Sequence, residues 1–425
     1  MQHRPVASIF LRHEGDILLL ERSQEVSSYP GKWGTVAGHI EATESLLEAV
    51  AREITEETEL RPDEWSLERT GEPFTVTDSS LDVEWQIHPI LVSTTHSDIS
   101  TNWETAEYEW TSPEAIHNRE TVPDLWETYD RVRPTVKTIR DDHEHGSAWL
   151  SIRALEVLRD EAIRAEYVRP VALQEVATAL CEARPTMAAL TNRINRVMSE
   201  CLSDEGKLTP AKVATAACEH LSRAIEADST AANNCAKEIA GKRVATLSQS
   251  GTVLDSLLGG KPEAVLVAES RPGLEGISVA ERLQKQLETS VSVTLTTDAA
   301  FPAAMLDWSA DVLLVGADSI LANGDIINKV GTYSAMAGVE ASDIERLVVA
   351  ATDKIRTDTT YDPEYRPEKE LYDGETDLAC FNPTFERTPA RYLDALITDR
   401  GALSRDEIGE IASEHRTLSS WSERL

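Results

Sequence analysis

GHIEATESLLEAVAREITEETEL, residues 38–60, is the stretch whose reading decides the fold of the N-terminal third of this chain. Leu46, Leu47, Val50, Ala51 and Ile54 recur at about 3.6-residue spacing, so Thr43 to Thr58 is predicted to be an amphipathic helix with Thr43 as its N-cap. On that helix Glu53, Glu56 and Glu57 stand at i, i+3 and i+4, which sends their carboxylates from one face toward a common focus. Oxygen donors in that pattern suit a hard divalent cation, Mg2+ or Mn2+. Three glutamates alone would be a solvated helix face in so acidic a chain. Gly38, Glu44, Arg52, Glu53, Glu56 and Glu57 together, in register, are much rarer by chance.

The flanks read as strands. Pro5 to Arg12 and Asp16 to Arg22 alternate or run apolar around a His13-Glu14-Gly15 turn, and further strand-like segments lie at Phe74 to Thr77 and Val83 to Thr95. With those flanks, Gly38-x5-Glu44-x7-Arg52-Glu53-Ile54-x-Glu56-Glu57-x-Glu59-Leu60 resembles the Nudix box. Lys32-Trp33-Gly34-Thr35-Val36-Ala37-Gly38 resembles that family's strand into the loop, with Ala37 replacing the first of two glycines. Tyr108-Glu109-Trp110 followed by Ser112-Pro113-Glu114 resembles its closing strand and helix. The resemblance implies a Nudix α/β/α sandwich in which Glu53, Glu56 and Glu57 bind the metal. It also implies that Arg52 steadies Glu44 and Glu56, and that Glu57 activates water. A cation so held would bridge phosphate oxygens and lower the pKa of a bound water, which implies hydrolysis of a nucleoside diphosphate linked to a further group. Glu59 departs from the family, which has glycine there to close the helix in a left-handed turn. Glu104, Glu107 and Glu109 are extra candidate ligands or bases, although an exposed acidic loop explains them equally. Trp33, Phe74 and Trp85 are candidates to stack on a base, or core residues.

A chain of 425 residues predicts two or three domains. Its net charge of −33 argues against unaided binding to nucleic acid or anionic membranes, because such a surface repels phosphates at long range. Acidic residues spread along the whole length suit a protein kept soluble in a high-salt, halophilic cytoplasm. Cys181, Cys201, Cys218, Cys235 and Cys380 are widely spaced without C-x2-C pairs, so neither a disulfide framework nor a zinc site is expected. No apolar stretch approaches the roughly 18 residues of a membrane span and no signal-peptide core is evident, so a cytoplasmic location is expected.

Three modules are expected: 1–130, 131–240 and 241–425, with a linker near 120–135. The second reads as a helical subdomain, with Val136 to Arg159, Val171 to Ala183, Thr186 to Leu202, Thr209 to Ile225 and Ala231 to Ala240 largely helical around Pro170, Pro185 and Pro210. Beyond Gly241, Val244 to Leu247, Ala264 to Ala268, Val291 to Thr294, Val312 to Val315 and Leu347 to Ala350 alternate with helix-length segments. That alternation predicts α/β architecture with a Rossmann-like parallel sheet. Ligands of such sheets sit beyond the carboxyl ends of the strands, where Ser248, Glu269, Asp298, Asp318 and Lys354 fall.

That edge carries a second resemblance, over about residues 134–418. Glu269-Ser270-Arg271-Pro272, Gly316-Ala317-Asp318, Asn323-Gly324-x3-Asn328-Lys329-x-Gly331-Thr332, Ala183-Arg184-Pro185-Thr186 and Phe381-Asn382-Pro383-x-Phe385-Glu386 resemble the initiation factor 2B alpha/beta/delta family. Its superfamily includes ribose-1,5-bisphosphate and methylthioribose-1-phosphate isomerases. The resemblance implies a nucleotide or sugar-phosphate ligand, with Asp318 at the position of the isomerase aspartate. Arg184, Ser248, Ser250, Arg271, Asn328, Lys329 and Lys354 fall at substrate-binding positions. Ser248 stands where the isomerases have a catalytic cysteine, and a hydroxyl has a far higher pKa than a thiol. His145-Gly146-Ser147 stands where they carry arginine before glycine. Both departures count against isomerisation. The expectation is therefore a metal-dependent Nudix hydrolase with a ligand-binding regulatory or dimerising module, forming a homo-oligomer. A bifunctional hydrolase-isomerase and a noncatalytic translation-factor-like regulator are the alternatives.

Overall fold

The computed structural model describes residues 2–142, 145–203 and 206–424. Residues 143, 144, 204 and 205 of the segment read as helical, and residues 1 and 425 of the outer modules, lie outside the described residues. The polypeptide divides into two compact units, Met1–Thr135 with Glu156–Ala172, and Val136–Leu155 with Leu173–Leu425.

The first unit holds β1 (Gln2–His13), β2 (Asp16–Arg22), β3 (Trp33–Gly34), β4 (Val36–His39), α1 (Leu46–Thr58), β5 (Trp65–Thr70), β6 (Phe74–Asp78), β7 (Val83–Thr94), β8 (Thr105–Thr111), α2 (Ala115–Asn118) and α3 (Leu125–Asp130). The expected hairpin forms, with His13 paired to Asp16 across a turn in which Glu14 and Gly15 both take positive φ. Such two-residue turns match the twist of the strands they join. The strands build one mixed sheet in the order β3-β2-β1-β7-β5, with β4 also on β1, β6 on β7 and β8 on β2. Alternation along β1 sends Ile9 and Leu11 to one face with Val50 and Ile54 of α1, and Phe10 to the other with Tyr129 and Val132. All of these are nearly fully buried, each contributing roughly 1.5–3 kcal/mol. Residues from Glu156 onward fasten to this core: Asp160 accepts a hydrogen bond from the Tyr129 hydroxyl at 2.9 Å, and Arg159 donates to the Gly15 carbonyl at 2.6 Å.

Helix α1 begins two residues later than expected. Ser45, not Thr43, is the N-cap, in a reciprocal box with Glu48: the serine N–H donates to the Glu48 carboxylate at 2.7 Å and its hydroxyl accepts the Glu48 N–H. At the other end Glu59 occupies the left-handed turn itself, with φ 58° and its N–H donating to Thr55 O at 3.0 Å.

The second unit contains α4 (Val136–Asp141), the first part of α5 (Ser147–Tyr167), α6 (Leu173–Ala183), α7 (Ala188–Cys201) and α8 (Pro210–Ile239). The two helices expected at Thr209–Ile225 and Ala231–Ala240 are one, because Ala231, Cys235 and Ile239 continue the apolar stripe into the core beneath the sheet. Next come β9 (Arg243–Thr246), α9 (Gly251–Gly260), β10 (Ala264–Ala268), α10 (Glu275–Gln286), β11 (Ser292–Thr296), α11 (Phe301–Asp307) and β12 (Val312–Val315). The chain continues through β13 (Ser319–Ile320), β14 (Ile326–Lys329), α12 (Thr332–Gly338), β15 (Glu345–Val349), β16 (Phe385–Thr388), β17 (Ala395–Thr398), β18 (Gly401–Ala402) and α13 (Arg405–Ser419). The expected parallel sheet is present, ordered β11-β10-β9-β12-β15-β17-β18 and parallel up to its antiparallel last strand. Strands β13, β14 and β16 form a small antiparallel sheet whose hairpin carries Asp318 to Lys329.

Candidate functional site

In the first unit the capped helix presents Glu53 and Glu56 on the wall of a cavity of about 480 Å³, beside Gly38, Arg52 and Glu104. Arg52 braces this wall. Its guanidinium donates to Glu44 at 2.8 Å, to Glu53 at 2.6 Å and to the His39 carbonyl at 2.9 Å, and stands 3.6 Å from Glu56. Gly38 is needed for close approach, since a β-carbon there would overlap the Glu53 carboxyl group. Glu57 lies behind the wall, buried, accepting the Ala37 N–H at 3.0 Å.

Burial raises the proton affinity of both inner carboxyls. Glu57 is pushed up from 4.5 to about 8, chiefly by desolvation, with Glu53 and Glu104 adding repulsion against the opposing pull of the Ala37 N–H. Glu53 is raised by desolvation in spite of Arg52. Among the described residues no three His, Cys, Asp or Glu side chains form a ready metal cage. Mg2+, however, commonly takes one or two carboxylates and completes its shell with water and substrate phosphate. The donor set fits such an ion: hard oxygens on a cavity wall, with desolvated negative charge that a cation would relieve.

Of the aromatic candidates, Trp85 lines the cavity, stacked on His39 with ring centroids 5.8 Å apart and donating to the Tyr29 hydroxyl at 3.0 Å. Trp33 and Phe74 are covered by the guanidinium groups of Arg119 and Arg131 at 3.9 and 4.4 Å. Glu109 pairs with Arg119, whereas Glu104 faces the cavity. Arg22 and Trp103, which sequence patterns do not single out, line it too.

In the second unit the sheet's carboxyl edge gathers the other candidates. Lys354 is buried and Asp318 half-buried, and each is pushed toward its neutral form by desolvation, a shift that their mutual attraction opposes. Ser147 and Lys329 also pull Asp318 toward ionisation. The Lys354 ammonium donates to the Ala317 carbonyl at 2.7 Å. Lys329 pairs with Glu275 at 2.6 Å, and Arg184 with Glu364 at 3.4 Å. Asn328 donates to the Thr332 hydroxyl at 3.0 Å. Ser248, at φ 67°, donates its N–H to the Ser270 hydroxyl at 2.6 Å, and Asp298 accepts the N–H groups of Ser270 and Arg271 at 2.8 and 2.6 Å. Ser250 caps α9, and the Arg271 side chain is exposed. His145 stacks on Trp149 and contacts Asp142 at 2.8 Å.

Residues 1–132 match the family described as NUDIX domain, and residues 143–405 match the Initiation factor 2 subunit family. Ribose 1,5-bisphosphate isomerase of Haloferax volcanii is 30% identical over 319 residues, covering 69% of this chain and 97% of that protein. The protein of the same name in Haloterrigena turkmenica is 32% identical over 321 residues, covering 67% and 97%. Among solved structures, a translation initiation factor eIF-2B from Pyrococcus horikoshii superposes with a TM-score of 0.54 at 24% identity, over 63% of this chain and 94% of that one, a likeness of fold.

Proposed function

The chain belongs to the Initiation factor 2 subunit family and carries a NUDIX domain, and on that premise we propose that its first unit is a divalent-cation-dependent pyrophosphohydrolase. The substrate is a nucleoside diphosphate linked to a further group. The observation that carries this reading is the braced wall of Glu53 and Glu56 on an accessible cavity, with a carboxyl of high proton affinity directly behind it. Glu53, Glu56 and Glu57 would hold Mg2+ or Mn2+, which supplies charge neutralisation at the phosphates and a more acidic water when bound. Arg52 keeps Glu53 and Glu44 in fixed rotamers, so positioning is in place before substrate arrives. The attacking water must give up a proton, and Glu57 is the group we assign to receive it.

The second unit binds a sugar phosphate or nucleotide and acts as a regulatory or dimerising module. Arg184, Arg271, Asn328, Lys329 and Lys354 supply phosphate and hydroxyl contacts, with Ser248 and Ser250 beside them. A second reading, aldose-ketose isomerisation, is favoured by Asp318 and Lys354 at the sheet's carboxyl edge, each pushed toward its neutral form by desolvation. Against it stands Ser248, whose hydroxyl is a poor acid and nucleophile. The protein works as a homo-oligomer in a reducing, high-salt cytoplasm; among the described residues no helix is long and apolar enough to cross a membrane.

Incubating the full chain with nucleoside diphosphate derivatives and with ribose 1,5-bisphosphate, with and without Mg2+, separates these readings. Cation-dependent cleavage of the first group without ketose formation from the second supports the proposal. Ketose formation that is lost in Asp318→Asn supports the isomerase, and silence in both assays leaves a purely regulatory chain.

A further inference from the structure

Three of the cations proposed to contact phosphate in the second unit already face a carboxylate of that unit: Lys329 faces Glu275 at 2.6 Å, Arg184 faces Glu364 at 3.4 Å and Arg271 faces Glu269 at 3.4 Å. Only the first pair is short as well as deep, since the Lys329 side chain is 4% exposed. Lys329 ends β14 and Glu275 opens α10, so the pair ties the small antiparallel sheet to the helix that follows β10. Arg366 stands 3.8 Å from the same Glu275 oxygen, yet its guanidinium is held by Glu370. The start of α12, next to Lys329 in the chain, is filled too: Glu386 accepts the N–H groups of Gly331 and Tyr333 at 2.7 and 2.8 Å. The groups that would receive a phosphate dianion at this end of the site are thus occupied by the chain's own carboxylates.

Glu275 keeps one oxygen in reserve. Its Oε1 takes the Lys329 ammonium, whereas Oε2 is buried and has no hydrogen-bond partner among the described residues. An acceptor so placed costs free energy until a donor reaches it. A phosphate dianion brings only acceptors, and its charge opposes the carboxylate. A sugar hydroxyl brings both functions, because it can donate to Oε2 while it accepts one of the three N–H groups of the Lys329 ammonium. We propose that Glu275 is a specificity-determining residue of the second unit, holding the Lys329 end of the site for a sugar hydroxyl and keeping a second phosphate out. The ligand is then a sugar or nucleoside monophosphate whose one phosphate is received elsewhere on the sheet's carboxyl edge, and a bisphosphate is disfavoured.

This inference rests on the reading of the second unit as a sugar-phosphate site, and a binding experiment keeps the two apart. Ribose 5-phosphate and ribose 1,5-bisphosphate are titrated calorimetrically at about pH 8, where phosphate is a dianion, into the full chain, Glu275→Gln, Glu275→Asp and the double variant Glu275→Gln/Lys329→Met. The unsubstituted protein binds the monophosphate at least as tightly as the bisphosphate. Glu275→Gln strengthens bisphosphate binding about ten-fold or more, because the opposing charge is gone, and leaves the monophosphate within about three-fold. Glu275→Asp keeps the charge and the discrimination, and the double variant loses the gain. A bisphosphate bound about ten-fold or more tightly than the monophosphate by the unsubstituted protein, or an affinity for it that does not rise in Glu275→Gln, overturns the proposal and leaves the sugar-phosphate reading standing. Failure of all four proteins to bind either ligand removes that reading and the proposal with it. An unchanged melting temperature verifies that the variants fold, and the comparison within the unsubstituted protein decides the matter even where they do not.

Discussion

Gly38 and Glu53 are in such close apposition that the absence of a side chain on the first is what makes room for the carboxyl group of the second. Strand β4 and the third turn of the helix are thereby locked in one spacing, which Arg52 reinforces by donating to Glu53 and to the His39 carbonyl at 2.6 and 2.9 Å.

Adding one methyl group should break that spacing. We expect Gly38→Ala to lower the cation-dependent rate by about 100-fold, since a misplacement near 1 Å is enough to do so, and to cost about 1–3 kcal/mol of stability through overpacking. Steady-state kinetics and a thermal melt measure both, and an undiminished rate would show that Glu53 has no positional role.

Glu57 makes stability depend on pH. With its proton affinity raised from 4.5 to about 8, the native state holds more protons than the unfolded state across that interval. Its contribution is fully present below about pH 4.5 and is lost as pH rises toward 8, on the order of 3–5 kcal/mol in all. In cation-free buffer the gap in stability between Glu57→Gln and the unsubstituted protein should widen in favour of the variant over this range. Added Mg2+ should close that gap in the unsubstituted protein, because a cation replaces the proton. Denaturant titrations at several pH values read this directly.

Glu59 occupies a left-handed turn at φ 58°, where its β-carbon is strained. Glu59→Gly should stabilise the protein by about 1 kcal/mol and leave the hydrolytic rate within about two-fold, as the residue is not among those lining the cavity. A melting temperature that falls would show that Glu59 makes a compensating contact.

The helix Leu46–Thr58, the hairpin at Glu14-Gly15 and the parallel strands are legible in the sequence because their apolar residues keep one period from end to end. The N-cap is misplaced at Thr43 by the sequence reading, which passes over the capping box of Ser45 with Glu48, three residues on. Strand β5 is not legible, because only part of Trp65–Thr70 is covered and its exposed and half-covered positions do not alternate. Asp228, Ser229 and Thr230 look like a helix break, and only packing of the flanking stripe against the sheet carries α8 through them. In the candidate site the carboxylate spacing is local and readable. The placement of Glu57 behind the wall is not, because its partner, the Ala37 N–H, comes from a strand twenty residues away. Trp103 carries no periodic signal at all, since its position depends on side-chain bonds from Asn102 to the helix.

Asp353 holds the second unit together at a buried point, 2.9 Å from Arg193 and 2.8 Å from Arg196, and these cations keep its carboxyl well below the usual range. Asp353→Asn would leave Arg193 enclosed with less compensation and should cost about 3 kcal/mol. The stabilisation is present above about pH 4 and lost as pH falls, so the variant should also lose acid sensitivity. Urea unfolding at pH 7 and at about pH 2 tests this, and equal stabilities at pH 7 would contradict it.

The most direct test of a cation seated on the carboxylate helix is a Mn2+ titration of the full chain followed by electron paramagnetic resonance at pH 8. We expect a site in the unsubstituted protein whose affinity falls by at least about ten-fold in both Glu53→Gln and Glu56→Gln. It should be unaltered in Asp318→Asn. Binding that is the same in all four proteins would contradict the assignment.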